Sequence, residues 1–154
     1  MNYHLAQINI GRLIAPLDDP KIAEFVAQLA PINAIADKAP GFVWRLQSES
    51  GNATDIAYNE DDRSIMVNMS VWESLEALRD YAYKSEHMKV FRDRAKWFVK
   101  MDKPHYCLWW IPDGHIPTVA EGRERLEHYQ THGATPYSFW FSQEFPQPTE
   151  VVCV

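Results

Sequence analysis

Cysteine is scarce in this chain: Cys107 and Cys153 are its only two, without metal or redox spacing, which excludes a disulfide framework and a thiolate metal centre. Basic charge is not in excess either. The formal net charge is −6, and the run Lys89, Arg92, Arg94, Lys96 is broken by Asp93, so no nucleic-acid partner is expected. No apolar stretch is long enough to span a bilayer, and the N-terminus carries no charged region followed by an apolar run. Gly-rich phosphate loops, dinucleotide fingerprints and Gly-x-Ser-x-Gly elbows are all missing. From these absences a soluble, cytoplasmic protein with no membrane partner is expected, folded as one domain over residues 1–154.

Aromatic and apolar residues are plentiful. Six tryptophans are present, and four of them fall between Trp72 and Pro112 in the company of His87, Arg92 and Arg94. Packing needs the apolar volume of that segment but not its cations or its imidazole, so the segment is the first place to look for chemistry.

Hydrophobic periodicity outlines the elements. Residues 3–10 alternate as a strand, with His4, Ala6, Ile8 and Ile10 on one face and Leu5, Gln7 and Asn9 on the other. Asp18, Asp19 and Pro20 open a helix whose stripe is Ile22, Phe25, Val26, Leu29, Ile32 and Ile35, with Pro31 expected to kink or split it. Strands are expected over Phe42–Glu49 and Ile65–Trp72, separated by a long polar loop. Ser74 is the candidate N-cap of a second helix with a bend near Lys84-Ser85, after which Met88, Phe91, Ala95 and Phe98 continue its stripe. A strand over His105–Ile111, a helix over Thr118–Thr131 ended by Gly133, and an aromatic strand over Ser138–Phe145 complete the chain.

The first six elements are those of a split-βαβ, ferredoxin-like antiparallel sheet with helices on one face; the last helix and strand are an addition, and the class is α+β. Such a sheet leaves its other face open. Gln7, Asn9, Met66, Asn68 and Ser70 are expected there, beside Trp44 and either Trp109 or Trp110. Two such faces paired about a two-fold axis enclose a cavity.

The run VWESLEALRDYAYKSEHMKVF resembles the strand-to-helix signature of the antibiotic-biosynthesis-monooxygenase-like, or dimeric α+β barrel, superfamily. Within that superfamily, NATDI, MVNMSVWES, RAKWF, LWWIPDGHIPT and RLEHYQTHGATPYSFWF resemble a bacterial domain-of-unknown-function family, over about Leu5 to Phe141. The resemblance implies a ferredoxin-like fold, a homodimeric α/β barrel and a small-molecule pocket on the inner sheet face. It also implies cofactor-independent oxygenation of an aromatic or polyketide-like substrate, with isomerisation or cyclisation as the near alternative. A non-catalytic ligand-binding or structural homodimer is the competing class. The haem-degrading branch pairs a helix histidine with a first-strand asparagine and a tryptophan. His87 and Asn9 are similar to the first two, but Tyr81 and Tyr83 stand where the tryptophan would be, so no cofactor is expected and haem is the alternative.

His87, at the edge of its helical stripe, is the candidate proton carrier. Asn9 and Asn68, on neighbouring strands, are the candidate oxyanion donors. Trp44, Trp110, Arg45 and Arg94 are the candidate substrate-binding residues, Arg for its planar fork. The plainer alternatives are a half-buried histidine, satisfied interface amides and solvated helix cations. Asp113 with His115, and His128 with His132, lack the further donors a metal site requires, and no metal is expected.

Overall fold

The computed structural model describes residues 2–48, 51, 53, 54, 56–84 and 92–148. The central strand, β1 (Tyr3–Leu13), is three residues longer than the alternation at 3–10 indicates. It pairs antiparallel with β3 (Ile65–Trp72) in a register that sets Gln7 opposite Ser70 and Asn9 opposite Asn68. On its other side it pairs with β5 (Tyr106–Pro112), Gln7 facing Leu108 and Asn9 facing Tyr106. The short β4 (Phe98–Val99) pairs with the end of β1 at Arg12 and Leu13. The edge strand β2 (Phe42–Arg45) lies on β3, with a register shift between Phe42 and Trp44. The sheet is antiparallel throughout, in the order expected of a split-βαβ unit, and the fold is α+β.

Strand pleating sends alternate residues to opposite faces, and the two faces are filled differently. One carries Ala6, Ile8, Ile10, Val67, Met69, Val71, Cys107, Trp109 and Ile111, all buried. It packs against the C-terminal helix, α3 (Val119–His132), through Leu126, Val119 and Tyr129. Gly122 permits that close approach: a Cβ there would lie 2.8 Å from Ile8 Cδ1 and 3.2 Å from Met69 Sδ. Burying residues such as Ile8 and Met69 stabilises the fold by roughly 1.5–3 kcal/mol each.

The other face carries Leu5, Gln7, Asn9, Gly11, Met66, Asn68, Ser70 and Trp72, and α1 (Ala23–Lys38) and α2 (Leu75–Lys84) lie over it. The expectation that these amides occupy the face turned away from the first two helices is therefore corrected. The apolar set is the face turned away, and α3 of the same chain covers it.

Local chemistry accounts for the element ends. The Asp19 carboxylate accepts from the Lys21 amide at 2.8 Å in the 3-10 turn Pro20–Ile22 that leads into α1. Pro31 does not split α1, which runs unbroken through it. Pro31 and Ala27, whose carbonyl loses its helical donor, are both exposed, so water can satisfy that carbonyl. Ser74 caps α2, its hydroxyl accepting from the Ala77 amide at 3.1 Å. Thr118 does the same for α3 from Glu121, and Gly133 closes that helix at φ +73°.

Three expected elements differ. The strand expected over Phe42–Glu49 ends at Arg45. Met88 and Phe91 lie outside the described residues, but the expected stripe does not reach Phe98 as helix: Arg94–Lys96 is a 3-10 turn and Phe98 begins β4. Buried Trp97 and half-buried Phe98 there pack on Phe25 of α1. Residues 138–145 form bridges rather than a strand. Phe139 exchanges two backbone hydrogen bonds with Leu108, after which the chain turns at Trp140–Gln143. These contacts blunt the outer edge of β5.

Candidate functional site

Between α1, α2 and the amide face lies a cavity of about 210 Å³. Its floor is a chain of hydrogen-bonded side chains running across β1 and β3. The Trp72 indole donates to Ser70 Oγ at 2.8 Å. Gln7 Nε2 donates to Ser70 Oγ at 2.8 Å and to Asn68 Oδ1 at 2.7 Å, and its own Oε1 accepts from Asn9 Nδ2 at 3.0 Å. Asn9 Nδ2 also reaches Asn68 Oδ1 at 3.2 Å. The Asn68 carbonyl thus accepts twice, while its amide N–H groups have no partner among the described residues. Asn68 is solvent-accessible although it sits in mid-sheet; its accessible surface faces the cavity. Gln28 Oε1, on the α1 wall, is buried and unpartnered among the described residues. Amide donors and an acceptor without partners among the described residues are chemically able to meet a polar ligand.

The walls are aromatic and cationic. Tyr81 stacks on Trp72 with ring centroids 4.9 Å apart, and Phe25, Tyr83, Phe98, Tyr106, Trp140 and Phe141 add further rings to the lining. Burial pushes the Tyr81 and Tyr83 phenols up, so both remain protonated near neutral pH. Arg45 lines the cavity with its charge already matched: Asp37 takes Nε at 2.7 Å and Nη2 at 3.3 Å, and the Gly51 carbonyl takes Nη1. Arg94 is half-buried, its guanidinium 5.0 Å from the centre of the Phe98 ring, and burial lowers its affinity for its proton. Its field and, more strongly, burial depress the neighbouring His105 to about 4.

Four of the sequence candidates meet here: Asn9, Asn68, Arg45 and Arg94. His87 lies outside the described residues. Trp44 does not reach the cavity, because the irregularity between Phe42 and Trp44 turns it to the α3 face, where it packs against the apolar core. Trp110 shares the amide face but sits opposite Leu5, beyond the amides, and its indole donates to the Phe145 carbonyl at 2.9 Å. Tyr106, opposite Asn9, takes the place expected of it. Trp109 is on the α3 face and donates to Glu121 at 3.0 Å.

Residues missed in sequence include Gln28 and Tyr106. Gln28 had a readable signal: it falls three residues after Phe25 and four before Ile32, a polar residue inside an apolar helical stripe. Among the described residues no cluster of three or more His, Cys, Asp or Glu can hold a metal ion, and no helix is long and apolar enough to cross a membrane.

No curated protein matches the chain. Among solved structures it is similar to SnoaB, a cofactor-independent oxygenase from Streptomyces nogalater. That match has 16% identity, 75% of this chain and 98% of that one covered, and a TM-score of 0.49. It is also similar to NE2512, a protein of unknown function from Nitrosomonas europaea, with 12% identity, coverage of 75% and 96%, and a TM-score of 0.49. The model of one family, described as a domain of unknown function (DUF3291), matches residues 4–153, and the chain belongs to that family.

Proposed function

We propose that the cavity binds a small aromatic or polyketide-like substrate and that the protein oxygenates it without a cofactor. The observation that carries this reading is Asn68: a mid-sheet amide whose two N–H groups face an aromatic-walled cavity with no partner among the described residues. Such donors hold an oxygen anion where it develops, which is how a phenol or enol is made easier to deprotonate. Gln7 and Asn9, which both donate to Asn68 Oδ1, fix Asn68 in that pose. A substrate with an activated ring methylene then gives up a proton and passes electrons to dioxygen. The methylene and one dioxygen become a ring carbonyl and one water, so the substrate is the only reductant required. His87 is proposed as the proton carrier from its place in the sequence. The homodimer implied by the family resemblance is proposed with it, and a solution mass of twice 17.9 kDa is the expected result.

The described lining contains no Asp, Glu or His, which favours ligand binding without turnover as the second reading. Oxygen uptake separates the two. Anthrone-type substrates mixed with the protein should consume dioxygen above the uncatalysed rate, and His87→Ala should abolish that excess while retaining binding. Saturable binding with no excess uptake selects the binding module. No binding of any phenolic aromatic removes both.

A further inference from the structure

The cavity is unlike the rest of the chain in its charge. The protein carries 21 acidic and 15 basic residues, yet the described residues around the cavity include two arginines and no carboxylate. Arg45 brings no net charge, since Asp37 holds it with two hydrogen bonds. Arg94 has no acidic partner among the described residues, and its guanidinium lies over the face of Phe98. A half-buried cation without a counter-ion costs stability unless something else supplies the negative charge.

Position specifies what that something is. A Cβ on Gly11 would lie 3.4 Å from an Arg94 Nη atom, so the guanidinium stands over Gly11 on the amide face. Asn9 is two residues away along the same face of the strand, roughly 7 Å at the usual rise, and Asn68 is directly across from it. The cation and the amide donors are thus separated by about the length of a small aromatic skeleton, and the space between is lined by rings.

We propose that the ligand of this cavity is an aromatic monocarboxylate, its carboxylate paired with Arg94 and a ring oxygen held by Asn68. This rests on the binding reading above and narrows it. One guanidinium matches one carboxylate in charge and in fork geometry, whereas a phosphate dianion would leave negative charge uncompensated in an apolar cavity. Cationic ligands meet Arg94 as like charge and are excluded.

The test is titration of the full chain with naphthoate, naphthamide, naphthol and naphthyl phosphate, followed by tryptophan fluorescence. Naphthoate should bind at least ten-fold more tightly than naphthamide or naphthyl phosphate. Arg94→Met should remove that preference while leaving naphthol and naphthamide within two-fold, and Arg94→Lys should restore part of it. Equal affinity for acid and amide in the unmodified protein overturns the proposal without relying on any variant. Tighter binding of the phosphate overturns it in favour of a phosphorylated ligand. If naphthol binds and Asn68→Leu weakens it while acid and amide remain equal, the cavity reading stands and the carboxylate alone is lost. Failure of all four to saturate overturns both.

Discussion

The same strands build both faces of the sheet, residue by alternate residue, yet the faces have opposite characters. On the α3 side Ala6, Ile8, Val67, Met69 and Trp109 close on Leu126 and on a glycine that admits the helix to van der Waals distance. On the α1–α2 side their immediate neighbours Gln7, Asn9, Asn68 and Ser70 bond to one another and leave a cavity above them. A face meant only for stability would resemble the first, since an amide network earns little net free energy for its desolvation. One face holds the fold together, and the other accepts a looser packing in return for directed polar groups.

Substitutions on the two sides should therefore separate stability from binding. The largest effect is expected from Trp109→Ala, which empties a fully buried site and should lower unfolding free energy by about 3–5 kcal/mol in denaturant titration, with ligand affinity unchanged wherever the variant is folded. Next is Gly122→Val, whose branched side chain meets Ile8 and Met69; about 1–3 kcal/mol of destabilisation should appear as a lower thermal midpoint. On the opposite face, Asn68→Leu removes an accessible amide, and its cost in stability should stay near or below about 1 kcal/mol while affinity for aromatic ligands falls ten-fold or more.

A pH series should give a smaller effect. His105 is held at about 4 in the folded chain against 6.5 for the free side chain, chiefly by burial and then by Arg94. The unfolded chain binds the proton more readily, so the neutral ring contributes its stability above pH 6.5 and loses it as pH falls towards 4. The ring is only half-buried, so the loss should be on the order of 1 kcal/mol after solvent screening. His105→Gln should flatten that part of the stability profile.

Much of this arrangement was legible in the residues. The alternation of 3–10 named both sets of β1, the cap at Ser74 and the glycine at Gly133 placed two helix ends, and Asn9, Asn68, Arg45 and Arg94 were readable as out of keeping with packing. Which set the helices would cover was not legible. A two-residue period fixes which side chains share a face but is silent on which side of the sheet a crossover helix lies. The bulge that turns Trp44 has the same cause, because one extra residue in an edge strand reverses every later side chain. Phe98 entered a strand because Trp97 and Phe98 bury against Phe25, a tertiary contact that no helical stripe predicts.

The most direct measurement places Asn68→Leu beside Met69→Ala, adjacent residues of β3 on opposite faces, and compares unfolding free energy with affinity for an aromatic ligand. The account predicts that Asn68→Leu loses ten-fold or more in affinity at nearly full stability, while Met69→Ala loses about 2–5 kcal/mol of stability and keeps its affinity. The reverse pattern, with binding intact in Asn68→Leu and impaired in Met69→Ala, would contradict it.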